Sequence, residues 1–122
     1  MLISNSLTIE DLQKEFRTTF PGLKIEFYKI EHGEEEGSMK ADQYSPDALI
    51  GAIRESNKEG EIELNPSMTV AEFETKLTEE FDLHAQIFRR SASLWLQTTA
   101  TDSWTLEVQN RKGIHSMEAI KE

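Results

Sequence analysis

The chain of 122 residues carries 37% apolar and 30% charged residues, the balance of one compact domain with a heavily charged surface. Thirteen Lys and Arg against 23 Asp and Glu leave a net charge of −10, which repels nucleic acid, anionic membrane and acidic substrates unless the basic residues gather on one face. There is no cysteine, so disulfides, thiolate metal sites and thiol nucleophiles are excluded.

The amino terminus, "MLISNSLTIEDL", lacks the basic-then-apolar pattern of a signal peptide, and no apolar run is long enough to span a bilayer. A cytoplasmic protein is the expectation. "LTIEDLQKEFRTTFPG" then predicts a helix. Thr8 is its cap, Glu10 and Asp11 complement the first turn, Ile9, Leu12 and Phe16 form its stripe, and Pro21-Gly22 ends it. In "LKIEFYKI" Leu23, Ile25 and Phe27 alternate with Lys24, Glu26 and Tyr28, as in a half-buried strand.

"EHGEEEGSMKADQ" has no periodicity and reads as a solvated loop. "SPDALIGAIRES" predicts a second helix, capped by Ser45, with Pro46 in the first turn and Leu49 and Ile53 on one face. "EIEL" is a short strand with Ile62 and Leu64 pointing together. "MTVAEFETKLTEEF" carries the strongest helix signal. Thr69 and Glu72 form a capping box, Met68 and Phe73 a hydrophobic staple, and Val70, Phe73, Leu77 and Phe81 a stripe.

"LHAQIFRR" and "SLWLQT" alternate again and predict a hairpin around residues 91–93. Leu83, Ala85 and Ile87 share a face with Leu94 and Leu96. His84, Gln86, Phe88 and Arg90 share the other with Trp95 and Gln97. "TDSWTLEVQNRKG" fits a strand or a helical turn. Three possible caps, Thr101, Asp102 and Thr105, favour the turn, which would end at Asn110 or Gly113. Residues 114–122 read as a loose tail, and no internal repeat is evident.

The blocks "FPGLKIEF", "TVAEFE", "AQIFRRS" and "WLQTTATDSWTLEVQN" resemble blocks in the same order in a family of short, uncharacterised bacterial α+β proteins. The resemblance covers most of the chain. It implies one α+β domain and a helical closing segment, and it transfers no activity and no site residues.

The expected fold is therefore α+β, one domain over residues 1–113. A mainly antiparallel four-stranded sheet packs with three to four helices. If residues 32–60 are an insertion, the core reads β-β-α-β-β, which is β-grasp-like by analogy alone.

No catalytic constellation stands out. Glu31, His32, Glu34, Glu35 and Glu36 lack the alternate spacing of a calcium loop. His32, His84 and His115 are far apart, and no nucleophile-elbow, zinc-protease or phosphate-loop motif occurs. No cofactor, metal or catalytic residue is expected.

The candidate interaction surface is the aromatic sheet face: Tyr28, Phe88, Arg90, Trp95 and Gln97, with Lys24 and His84 nearby. Flat rings beside guanidinium and amide groups suit a peptide or a base. The competing expectation has the third helix or the Trp104 segment covering this face, with Trp95 mostly buried and Arg90 at the exposed rim.

The function expected is that of a small protein-binding or regulatory module with another protein as partner, and no nucleic acid or membrane. The alternatives are a ligand-binding protein or enzyme with a pocket between the closing segment and the sheet, and an acidic nucleic-acid mimic.

Overall fold

The computed structural model describes residues 1–29 and 37–119. The expected acidic loop at residues 31–36 lies outside them. The elements are β1 (Leu2–Ile3), α1 (Ile9–Thr19), β2 (Leu23–Tyr28), β3 (Gly60–Glu61), α2 (Val70–Phe81), β4 (His84–Ser91), β5 (Leu94–Gln97) and α3 (Leu106–Ala119). Two single 3-10 turns, Lys40–Asp42 and Ile50–Ala52, lie between β2 and β3.

The α+β class is as expected, but the strands form two open antiparallel sheets: three strands in the order β2-β4-β5, and the pair β1-β3. A four-stranded sheet with a β-grasp order does not form. "EIEL" contributes only its first residue to a strand, and that strand pairs with the amino terminus, where Leu2 faces Glu61. Ile62 and Leu64 still point together into the core, Ile62 fully and Leu64 partly buried.

Leu23, Ile25 and Phe27 of β2 and Ala85 and Ile87 of β4 form the buried floor. Ile9, Leu12, Phe16, Val70, Phe73, Leu77 and Leu106 of the three helices join them in one core. The predicted capping box at Thr69 forms, and the predicted cap Thr8 makes a second one with Asp11. The Thr8 hydroxyl accepts the Asp11 N–H at 3.2 Å, and the Asp11 carboxylate accepts the Thr8 N–H at 2.9 Å. Thr69 and Glu72 do the same at 3.1 Å each.

The expected helix over "SPDALIGAIRES" is instead extended chain ending in one 3-10 turn. A helix needs the carbonyls of Pro46 and Ala48 for its own N–H groups. Here they accept from Glu10 and Ile9, the first N–H groups of α1, at 2.8 and 3.0 Å. The Ile50 N–H returns to the Leu7 carbonyl at 2.8 Å, so this stretch caps another helix. Ile50 is accordingly buried, while Leu49 is exposed.

The same exchange occurs a second time. Val70 and Ala71, at the start of α2, donate to the carbonyls of Trp104 and Asp102. Leu106 and Glu107, at the start of α3, donate to those of Met68 and Pro66. With each threonine taking the third N–H, the first three N–H groups of each helix are satisfied, and at α1 and α2 the capping box also takes the N–H of the cap itself.

An internal repeat underlies this, contrary to the expectation of none. "NSLTIEDL", "PSMTVAEF" and "DSWTLEVQ" share the order serine, apolar residue, threonine, apolar residue, and each begins a helix. Thr8, Ile9, Leu12, Gln13, Phe16 and Phe20 recur 61 positions on as Thr69, Val70, Phe73, Glu74, Leu77 and Phe81. Each strand then pairs antiparallel with its counterpart, β1 with β3 and β2 with β4. Gln13 and Glu74 perform matching tasks. Gln13 donates to the outward carbonyl of Ile25 at 2.8 Å, and Glu74 accepts the N–H of Ile87 at 2.8 Å.

The closing segment is a helix, but it neither stops at Asn110 or Gly113 nor leaves a tail at 114; it runs on to Ala119. Gly113 lies in its middle because a side chain there would overlap the Gly22 carbonyl oxygen, only 2.3 Å from where a Cβ would stand. The α3 backbone therefore rests directly on the turn that leads into β2.

Two exposed carboxylates predict an acid response. The Thr8 N–H and hydroxyl hold Asp11 below its ordinary value, and the Asn5 N–H and Ser4 hydroxyl do the same for Glu59. A depressed carboxylate stabilises the fold above the unfolded-state value, about pH 4, and that contribution is lost as pH falls through the folded value. Asp11→Asn with Glu59→Gln should therefore lower stability at pH 7 and flatten its decline below about pH 4. An unchanged acid limb in chemical denaturation would contradict this assignment.

Candidate interaction surface

Two-residue alternation fixes which side chains share the sheet face opposite the core. Lys24 sits opposite Phe88, Tyr28 opposite His84, Phe88 opposite Gln97 and Arg90 opposite Trp95. The expected sharing of faces is thus the observed one, with Trp95 directly opposite Arg90 and diagonal to Phe88. Its two-residue loop forces Ala92 to a φ of 52°, and Arg90 Nε donates to the Ala92 carbonyl at 2.7 Å. Ser116 of α3 fixes the loop, accepting from the Ala92 N–H and donating to the Arg90 carbonyl.

The five candidate residues divide. Phe88, Arg90 and Trp95 are partly exposed and adjacent. Gln97 is committed to holding Ser38, donating to its carbonyl at 2.7 Å and accepting its N–H at 3.1 Å. Tyr28 is buried, its hydroxyl donating to Gln43 at 3.2 Å, so it is not part of an accessible surface. Burial, with the charges of Glu26 and Glu74, pushes its phenol well above the ordinary tyrosine value.

The polar end of this face is occupied with sheet edges. Gln13 donates to Glu26 at 2.7 Å, and Gln86, nearly inaccessible, donates to the Ile87 carbonyl at 2.9 Å. Among the described residues no helix covers the aromatic end. The expectation that the third predicted helix, here α2, or the Trp104 segment lies over Trp95 fails: α2 packs Val70, Phe73 and Leu77 into the core, and the exchange between the starts of α2 and α3 ties Trp104 to that same side. There Trp104 lies beside Arg89, whose sheet neighbours are Leu23 and Leu96. The two tryptophans occupy opposite faces of the sheet.

Cations surround Trp95. The guanidinium carbons of Arg17 and Arg90 stand 5.6 and 5.3 Å from its ring centroid, and the Lys24 ammonium 5.3 Å from it and 5.0 Å from that of Phe88. Lys24 is shared with Glu26 at 3.5 Å. Arg17 and Arg90 make no ion pair with a carboxylate among the described residues. Arg17 was not among the residues expected here. It reaches Trp95 from the last turn of α1, across the edge strand β2, and period-two reading along strands carries no signal for such an approach.

This is an electropositive aromatic patch on a strongly acidic chain, suited to holding carboxylates against flat rings. Among the described residues no cluster of His, Asp or Glu has the grouping of a metal site, and no helix is long and apolar enough to cross a membrane. No family model, curated protein or solved structure matches the chain.

Proposed function

We propose that the chain is a protein-binding module whose Phe88–Trp95 face receives an acidic segment of another protein. The observation that carries this reading is the grouping of Arg17, Lys24 and Arg90 around a partly exposed Trp95 in a chain of net charge −10. The net charge opposes an acidic partner at long range, while these cations attract one locally, which selects orientation as well as partner. Trp and Arg are also the residues that dominate binding hot spots. The alternative of a ligand pocket between α3 and the sheet meets direct backbone contact at Gly113 and Gly22.

The test uses Trp95 as its own reporter in a Trp104→Phe background, titrated with a ten-residue polyglutamate peptide. A saturable change in Trp95 emission is expected, weakened by salt and reduced about tenfold or more in affinity by Arg17→Ala with Arg90→Ala. A titration that leaves Trp95 unchanged, or that the double substitution does not alter, would overturn the reading.

A further inference from the structure

Among the described residues no strand pairs with the outer side of β5 in the three-stranded sheet. The hairpin register fixes which of its backbone groups point outward. In an antiparallel pair, opposed residues alternate between hydrogen-bonded and non-bonded. The Thr98 N–H donates to the Ile87 carbonyl, and the Arg90 N–H points the other way, to the Gly22 carbonyl across β2. Leu94 and Leu96 therefore bond inward to β4, while the N–H and C=O groups of Trp95 and Gln97 face away from it. Among the described residues, none of these four outward groups has a backbone partner.

Both faces flanking this edge carry the same chemistry. Trp95 with Arg17, Lys24 and Arg90 lies on one side. On the other, the Trp104 ring has the Arg89 guanidinium at 5.7 Å and the Lys112 ammonium at 5.5 Å. Leu96 sits opposite Arg89 in the sheet, and Leu94 and Leu96 on this face are 65% and 42% exposed. Neither Arg89 nor Lys112 is ion-paired with a carboxylate among the described residues. Five of the chain's 13 basic residues thus gather around four residues of edge strand.

We infer that the partner binds as an extended acidic strand added to β5. Side chains of an added strand alternate between the two sheet faces. A run of consecutive acidic residues would place carboxylates beside Arg90 on one face and beside Arg89 and Lys112 on the other. Its backbone would meanwhile satisfy the outward groups of Trp95 and Gln97. A second copy of this chain fits less well, because two such edges would bring basic groups together on both faces. This inference rests on the proposed function, since it specifies how the acidic partner is held.

The experiment compares the polyglutamate peptide with the same peptide methylated on every backbone nitrogen, which keeps the charge and removes the donors of strand pairing. Binding of the first and a loss of about tenfold or more for the second is expected, with slowed amide exchange at Trp95 and Gln97 on saturation. With both tryptophans replaced by 5-fluorotryptophan, the fluorine signals of Trp95 and Trp104 should both shift, and Lys112→Ala should weaken binding. Equal binding of both peptides would overturn strand addition while leaving the acidic-partner reading intact. Binding of neither would overturn both. Concentration-dependent dimerisation that the peptide does not disrupt would also overturn it, by giving the edge to a second copy.

Discussion

Replacing Phe73 with alanine is expected to cost about 3–5 kcal/mol of folding stability, the range for emptying a buried phenylalanine site. Phe73 has no exposed surface, and its ring centroid lies 5.8 Å from that of Phe16. It belongs to the stripe by which α2 joins the core, and its counterpart Leu12 belongs to that of α1. The cavity would thus open between the two halves, where α1 is held by caps from residues 46 and 48 and has little freedom to collapse inward. Phe73→Leu keeps most of the volume and should cost about 1–2 kcal/mol. Urea unfolding at constant slope measures both. A midpoint for Phe73→Ala that lies within about 1 kcal/mol of the parent would mean that this helix face does not form the core.

The elements legible in the sequence are those whose signals are local. Thr8 and Thr69 announce their helices because a cap, an acid at the third helical position and an apolar stripe agree within a dozen residues. The hairpin is legible because a two-residue loop leaves one register, and alternation then assigns Phe88, Arg90, Trp95 and Gln97 to one face. Ser45-Pro46 is a genuine helix-start signal that misleads. The carbonyls that would continue that helix are used by α1, and such competition is not visible along one stretch of chain. The repeat escapes notice because its conserved element is a capping chemistry, serine and threonine at fixed places, while the buried positions interchange Ile with Val and Phe with Leu.

The site is partly legible for the same reason. Neighbours along a strand follow from period two, so the Phe88, Arg90 and Trp95 grouping is readable. Arg17 and Lys112 arrive from α1 and α3, far from the hairpin in sequence, and only the packing brings them to the rings. The placement of Trp104 follows from four backbone bonds between the starts of α2 and α3, together with Leu106 in the core. Counting amphipathic helices against sheet faces pointed to the wrong side, because α3 needs little apolar area. Much of its contact is made by backbone at Gly113 and by buried Gln109, which donates to Thr101 and accepts from Arg89.

That contact makes Gly113→Ala the substitution whose sign is most informative. In a helix free of neighbours, alanine in place of a central glycine stabilises by about 1 kcal/mol. Here a Cβ at Gly113 would stand 2.3 Å from the Gly22 carbonyl oxygen and 2.9 Å from its carbon. Both are backbone atoms, and the same carbonyl accepts the Arg90 N–H at 2.9 Å, so it cannot turn aside without breaking the join between β2 and β4. The helix must move instead. Movement would strain the bond from the Gly22 N–H to the Asn110 side chain at 2.7 Å and the Ser116 contacts to the hairpin loop. The net effect expected is destabilisation by about 1–3 kcal/mol, as overpacking produces, despite the gain in helix propensity. Faster amide exchange should appear along α3 and at the residue 91–94 hairpin, with α1 and the core strands less affected. Because Lys112 and Arg90 are carried on the displaced parts, acidic-peptide affinity should fall as well. A raised denaturation midpoint would show that α3 is not seated on Gly22.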